Sequence, residues 1–330
     1  MGFFNSVFGQ YIAQSVFHAV ISTIVIEALL WLWRVRKSSL QIKLRLLVLQ
    51  LPVVSLPFYF LLYPPRAGSY FRQQVALTDF NEWLGLGLGG GVFLWHLFVA
   101  LLALTTVYFI IKELVPSLRH YFGHYPALSS IEAGEFPKLD EVLALLVQVK
   151  RRPWLRILLS RDKEPMLHTF GREAIVISRA TIDLLDTDEL AAVISHELAH
   201  LGQAYRIDRL AMVLRFVMFY NPVALFIFGR IISDNEKNCD DIAIDVTGKR
   251  LALVSGILKM SRRTVASSVS GRQWRWRSSI TAWEYRAGGE LMTQRVARLL
   301  HAEKAGSIPG QNLGLFVTAT LLSALLFFVV

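Results

Sequence analysis

One cysteine, Cys239, stands in 330 residues, so neither an intrachain disulfide nor a cysteine-only zinc site can form. Charge is scarce as well. Charged side chains make up 18% of the chain and hydrophobic ones 54%, against roughly 25% and 45–50% in soluble domains. That balance excludes a disordered regulator, a collagen-like fibre and a small disulfide scaffold. Low-complexity sequence is confined to the glycine-rich stretch from Leu84 to Gly91, a flexible lead into the apolar run that follows.

What the chain has in quantity is long apolar runs. Four approach the roughly 20 residues, at about 1.5 Å each, that cross a bilayer: Tyr11 to Trp33, Leu46 to Tyr63, Gly91 to Ile111 and Leu313 to Val330. Pro52 and Pro57 predict a kink in the second. The first has an uncharged lead, too long an apolar core and no small-residue cleavage site, so a retained helix is expected in place of a signal peptide. Arg34, Arg36, Lys37, Lys43 and Arg45 crowd the link between the first two runs with no acid among them. The positive-inside rule makes that link cytoplasmic. Both termini and the loop from Pro64 to Gly90 are then outside, and the long segment from Lys112 to Gly310 is inside. This topology accounts for the net charge of +10, and no nucleic-acid motif accompanies it, so direct nucleic-acid binding is not expected. Glu27, inside the first run, is either a functional acid or one that snorkels toward Arg34.

The long inner segment carries the chemistry. Two strand-like runs, Leu155 to Ser160 and Ala174 to Ser178, are separated by polar residues and Gly171, and read as a small strand pair. Asp186, followed three residues later by Glu189, reads as a capping box opening a helix. That helix bears His196-Glu197-Leu198-Ala199-His200. Residues four apart share a helix face, so the two imidazoles converge on one ion, while Glu197, turned by about 100°, lies beside it as a proton acceptor. Two histidines leave a tetrahedral Zn²⁺ in need of a third protein ligand. The plain alternative is an amphipathic helix with two surface histidines.

Asn221-Pro222, between apolar stretches, suits a helix–helix turn better than the middle of a fifth membrane helix. From His200 to Asn221 is about 31 Å of helix and from Asn221 to Glu236 about 22 Å of return, so a hairpin brings Glu236 near the ion. Glu236 is therefore the expected third ligand, with Asp234, Asp240 and Asp241 as competitors. Asp240, four residues on, is either the acceptor for the other N–H of a ligand histidine or a solvated acid. Cys239 is expected to pack on another face.

HELAH, Asn221-Pro222 and Glu236-Lys237-Asn238-Cys239-Asp240 together resemble the BlaR/MecR-type antirepressor membrane zinc metallopeptidases. Arg295-Val296-Ala297-Arg298-Leu299-Leu300, ahead of the last apolar run, is similar to theirs, as is the order of three helices, protease domain and fourth helix. The resemblance implies His196, His200 and Glu236 as ligands of one Zn²⁺ and Glu197 as catalytic base. It also implies a bacterial inner-membrane protein of mainly α class, with four transmembrane helices and a cytoplasmic α+β gluzincin-type metallopeptidase domain. The corresponding divisions are a membrane region at 1–115, the peptidase domain at 116–310 and a last helix at 311–330. The antibiotic receptors continue into an external sensor, and this chain stops at Val330, so direct β-lactam sensing is not expected of it. The HtpX and prenyl-protein proteases are the second resemblance, through the Glu-x-x-x-Asp spacing, although their gap between HExxH and the glutamate is usually longer.

The partners expected are the bilayer, a cytoplasmic protein substrate, a transcriptional repressor being one candidate, and a second copy of the chain. The Ala174 to Ser178 strand is expected to pair with an extended substrate. His168 and Tyr205 are weak candidates for an oxyanion donor, with packing favoured for each. His120 and His124 have ligand spacing but no acid between them. Arg272-Gln273-Trp274-Arg275-Trp276-Arg277 reads as a loop at the membrane surface, or a site of self-cleavage.

Overall fold

The computed structural model describes residues 6–121, 129–131, 134–146, 149, 152–161, 163–171, 173–267, 288–301 and 311–330. Arg272 to Arg277 and His124 lie outside them. The chain is mainly helical and divides into two compact units. One contains residues 1–115, 210–234 and 305–330, the other 116–209 and 235–304.

Among the described residues, three helices are long and apolar enough to cross a membrane: Val7–Leu32, Ser38–Leu62 and Leu94–Leu118. The fourth, Gln311–Phe327, has 17 residues, short of the span expected from Leu313 to Val330. Its end has a physical cause. Buried Arg66 takes the carbonyls of Phe327 at 2.8 Å and Leu326 at 3.4 Å, together with that of Val329. Beyond the helix, Val330 and Thr78 pair through their backbones at 3.0 Å, so the last residues run extended against the loop.

The second helix starts at Ser38, not Leu46, and runs through Pro52 and Pro57. Lys43 and Arg45 therefore belong to the helix and not to the link. Arg45 is buried, with Nε and Nη2 donating to the two oxygens of Glu27 at 2.7 and 2.9 Å and Nη1 pairing with Asp234. Glu27 is thus neither alone nor turned to Arg34. It belongs to an ion triad whose other two members are buried, which a charge needs when water is scarce.

The expected turn at Asn221 joins two helices, Tyr205–Val217 and Pro222–Thr247 (the return helix). Asn221 Oδ1 accepts the N–H groups of Val223 at 2.9 Å and Ala224 at 3.3 Å, and Pro222 takes the first helical position, where its missing N–H costs nothing. The turn is anchored among the apolar helices: Tyr220 meets Ser15 Oγ at 2.8 Å, and buried Arg215 donates to Glu113 at 3.1 Å.

The second unit is built on a sheet of four strands, in the order Ser129–Ser130, Arg156–Ser160, Ala174–Ser178, Leu167–Phe170. Arg156–Ser160 and Ala174–Ser178 do pair, in parallel, with Ile157 opposite Ile175. The other flank of Ala174–Ser178 is taken by Leu167–Phe170, antiparallel, through a turn in which Gly171 has φ +64°. Ala174–Ser178 is wholly buried, as its unbroken apolar run suits. It cannot receive a substrate strand as expected, because both its edges are occupied. Ile175 and Ile177 pack in one core with Leu190, Ile194 and Leu198 of the helix Thr187–Ala199, the motif helix. Behind that helix runs Arg250–Ser267, approaching so closely that a Cβ on Gly256 would lie 2.6 Å from Val193 Cγ2.

Candidate metal centre

The motif helix is fixed at both ends. At its start Asp186 accepts the Glu189 N–H at 2.8 Å and Glu189 accepts the Asp186 N–H at 2.9 Å, the reciprocal box expected from the spacing. Ser255 at 2.5 Å and Lys259 at 2.7 Å, both on the neighbouring helix, also bond Glu189. Burial raises the Glu189 pKa, but these donors outweigh it and hold the carboxyl below its ordinary range.

At its end the helix does not continue straight from His200 toward Asn221, as the spacing arithmetic assumed. A wide turn, His200–Ala204, follows, and Gly202 is non-helical at φ −97°, ψ −125°. Arg152 Nη1 donates to the carbonyl of Leu198 at 2.7 Å, in the last turn before the break. A Cβ at Gly202 would stand 3.2 Å from the same guanidinium, so there is little room for a larger residue.

The two histidines sit in this last turn, His196 buried and His200 partly so. Their Nε2 atoms are 3.2 Å apart. Glu236, buried on the return helix, brings Oε2 to 3.4 Å from His196 Nε2 and Oε1 to 3.0 Å from His200 Nε2. Ligand atoms of the three residues all lie within 4.8 Å of one another. Two ligands about 2.0–2.1 Å from a tetrahedral zinc are about 3.3–3.4 Å apart, so these separations suit three corners around one ion. The donor set, two imidazoles and a carboxylate, is also one that zinc accepts at a catalytic site. The residues present therefore fit zinc.

The other carboxylates do different things. Asp234 is tied to Arg45 in the first unit, and Asp241 pairs with Arg298 at 2.8 Å. Fully buried Asp240 places Oδ1 3.0 Å from His196 Nδ1, although the contact misses the angle of a straight hydrogen bond. An acceptor there favours the tautomer with Nδ1 protonated and leaves the Nε2 lone pair for a cation.

Arg295, on the helix Gly288–His301, was not assigned a role from sequence. Its Nε and Nη2 grip Asp240 at 2.9 and 2.6 Å, and its Nη1 reaches Glu236 Oε2 at 2.8 Å. Arg298, one turn on, also donates to the Lys237 carbonyl at 2.8 Å. The available signal was spacing: Arg-x-x-Arg on one helix face matches the Glu-x-x-x-Asp-Asp cluster on another.

Cys239 packs as expected, buried beside Ala199 and Ala204, but not on a face apart from Glu236: it follows Glu236 by three, residues three apart on a helix are neighbours, and it lies next to His200. Burial pushes its thiol up to about 11, against the pull of His200. His168 lies on the strand Leu167–Phe170 opposite Val176, and the Tyr205 ring lies 5.2 Å from the Arg209 guanidinium.

The electrostatics are those of a dense carboxylate–imidazole cluster. Burial opposes the Glu236 charge, but Arg295 and the two imidazoles hold its pKa well below the usual range. Burial likewise opposes ionisation of Asp240, and Arg295 and His196 bring it down to about 2. Glu197, half-buried, differs: burial prevails over the two imidazoles and raises its pKa, as suits a group that must take up a proton.

With the geometry in place, comparison with known families bears on it directly. Residues 135–268 match Peptidase family M48. The matched stretch contains the motif helix, the break at Gly202, Glu236 and Asp240, and it ends before Arg295. It supports a zinc metallopeptidase of the M48 family and does not choose between the antirepressor and the HtpX kinds.

Proposed function

We propose that this chain is a membrane-embedded zinc endopeptidase, with His196, His200 and Glu236 holding the ion and Glu197 acting as catalytic base. The observation that carries the reading is the convergence of the two Nε2 atoms and the Glu236 carboxylate beside Glu197. When bound, zinc supplies Lewis-acid polarisation of a carbonyl and lowers the pKa of a coordinated water to about 7. Glu197 takes the proton from the attacking water and hands it to the leaving amine. Asp240 orients His196. An intact base also argues against a purely structural ion site, which has no use for one.

Two strands lie at the edges of the sheet among the described residues, Ser129–Ser130 and Leu167–Phe170, and the longer of them offers an extended substrate a place to pair. Among the described residues, Leu167–Phe170 is bonded within the sheet on one side only, and it packs beside the motif helix. The β-pairing first expected of Ala174–Ser178 is assigned to this edge.

The setting is a bacterial inner membrane, with the peptidase unit on the cytoplasmic side and the termini outside. The substrate is a cytoplasmic protein and the role regulatory proteolysis, either of a repressor or of the chain itself. The basic link between the first two helices supports the orientation, and the resemblance in motif order supports the role. A homodimer in the bilayer is part of the same proposal. The test is co-expression with a candidate repressor from the same genome, comparing wild type with Glu197→Gln. Cleavage of the repressor, or of the chain, by wild type alone is expected. Degradation of misfolded membrane proteins with the repressor left intact favours the quality-control alternative, and no cleavage by zinc-loaded protein favours a non-enzymatic signalling role.

A further inference from the structure

We propose that Arg295 is a positioning residue of the metal centre, the group that keeps Glu236 turned toward the two imidazoles and Asp240 turned toward His196. The proposal rests on the peptidase reading of the site and adds to it a residue outside the matched family stretch.

Glu236 and Asp240 are four apart on one helix, so two buried carboxylates face the same way at the distance where like charges destabilise. Alone, they would turn apart, and either movement would take an oxygen from a histidine. The guanidinium prevents this by spanning both. It meets Asp240 with two nitrogens at 2.9 and 2.6 Å and Glu236 with the third at 2.8 Å. The Glu236 oxygen it holds is Oε2, which also faces His196 Nε2 at 3.4 Å, so Arg295 sets the position of an atom of the ligand triangle. The Asp240 oxygen it meets at 2.6 Å is Oδ1, the one facing His196 Nδ1. One planar fork thus fixes the outer partner of one ligand and a carboxylate oxygen of another.

Charge points the same way. A dication and Arg295 together balance the three carboxylates Glu197, Glu236 and Asp240, and a neutral total suits a buried site. A lysine would supply the charge but not the geometry, since one ammonium on a flexible stem cannot present three directed donors to two carboxylates.

The test uses the full chain in detergent, with Zn²⁺ affinity from chelator competition and the visible bands of the Co²⁺-loaded protein as a report on the ligand set. Arg298 provides the control: it docks the same helix through Asp241 and the Lys237 carbonyl, and approaches Asp240 only to 4.0 Å. Arg295→Met is expected to weaken zinc binding by about 10–100-fold and to move the cobalt bands toward those of Glu236→Gln. Arg295→Lys is expected to recover little of either, and serves alone if the methionine variant does not accumulate folded. Arg298→Met is expected to keep wild-type bands and near wild-type affinity. Wild-type bands and affinity in either Arg295 variant overturn the proposal, and so does an equal loss in Arg298→Met, which would reduce Arg295 to helix docking. If wild type itself binds no zinc, or Glu236→Gln binds it equally well, the peptidase reading falls and this inference with it.

Discussion

Among the described residues, two arginines each bridge two carboxylates, Arg45 buried and Arg295 partly buried. In the first unit Arg45 joins Glu27 and Asp234, and in the second Arg295 joins Glu236 and Asp240. The chemistry is the same, and the return helix supplies an acid to both. What differs is the company of the carboxylates. Those of Arg45 share that guanidinium across three helices. Those of Arg295 face imidazole nitrogens as well, and two of those nitrogens point at one place. A buried ion pair by itself is therefore no sign of a site. The convergence of lone pairs beside it is.

The sharpest break of the comparison comes at the base. Glu197→Gln keeps the ligand triangle and the charge clusters, and is expected to lower peptide hydrolysis by about 10²–10⁴-fold with zinc content unchanged, measured on the same preparation. Loss of zinc with loss of activity would make Glu197 a ligand and not a base. Next in size is Arg45→Met. Removing one partner of a buried pair costs about 3–5 kcal/mol, so this variant should unfold in detergent at distinctly lower temperature while its folded fraction still binds zinc. A fall in zinc affinity without a fall in stability would erase the distinction between the two arginines.

Smaller again is Asp240→Asn, which keeps an oxygen near His196 Nδ1 but loses a charge held by Arg295. Zinc affinity should fall by about 10-fold or somewhat more, read by chelator competition. The smallest effect is at the helix start. The Glu189 pKa is depressed below 4.5 in the fold, so its charge adds stability above that pH and the contribution is lost as pH falls through the folded value. Glu189→Gln should cost about 1 kcal/mol at neutral pH and flatten the acid limb of a thermal-melting profile. An unchanged acid limb would assign that limb to other carboxylates.

Features set by neighbours in the chain were legible before the fold was seen. The capping box at Asp186 and Glu189, the turn at Asn221-Pro222 and the two histidines on one face all follow from spacing within a few residues. The third ligand was reached by adding helix lengths, and Glu236 does arrive. The assumed straight path was nonetheless wrong, because Gly202 breaks the helix and Arg152 caps it. The two arginine clusters were not legible. Arg45 meets Asp234 across 189 positions and Arg295 meets Asp240 across 55, and no local pattern records such a pair. Arg45 was counted as a loop charge for the same reason: a membrane helix that contains an arginine is recognised only once its partners are known. The strand Ala174–Ser178 misled in another way. Its composition marks a strand, but whether an edge is open depends on Leu167–Phe170, a run too short and polar to stand out.

The central claim is that His196, His200 and Glu236 hold one zinc ion for hydrolysis. The measurement that tests it most directly is zinc per chain in detergent-purified wild type beside Glu236→Gln, with peptide hydrolysis followed on the same samples. The account predicts about one zinc per chain in wild type, as three protein ligands of a single catalytic ion require, and loss of both metal and activity in the variant. Zinc bound equally well by Glu236→Gln would contradict it.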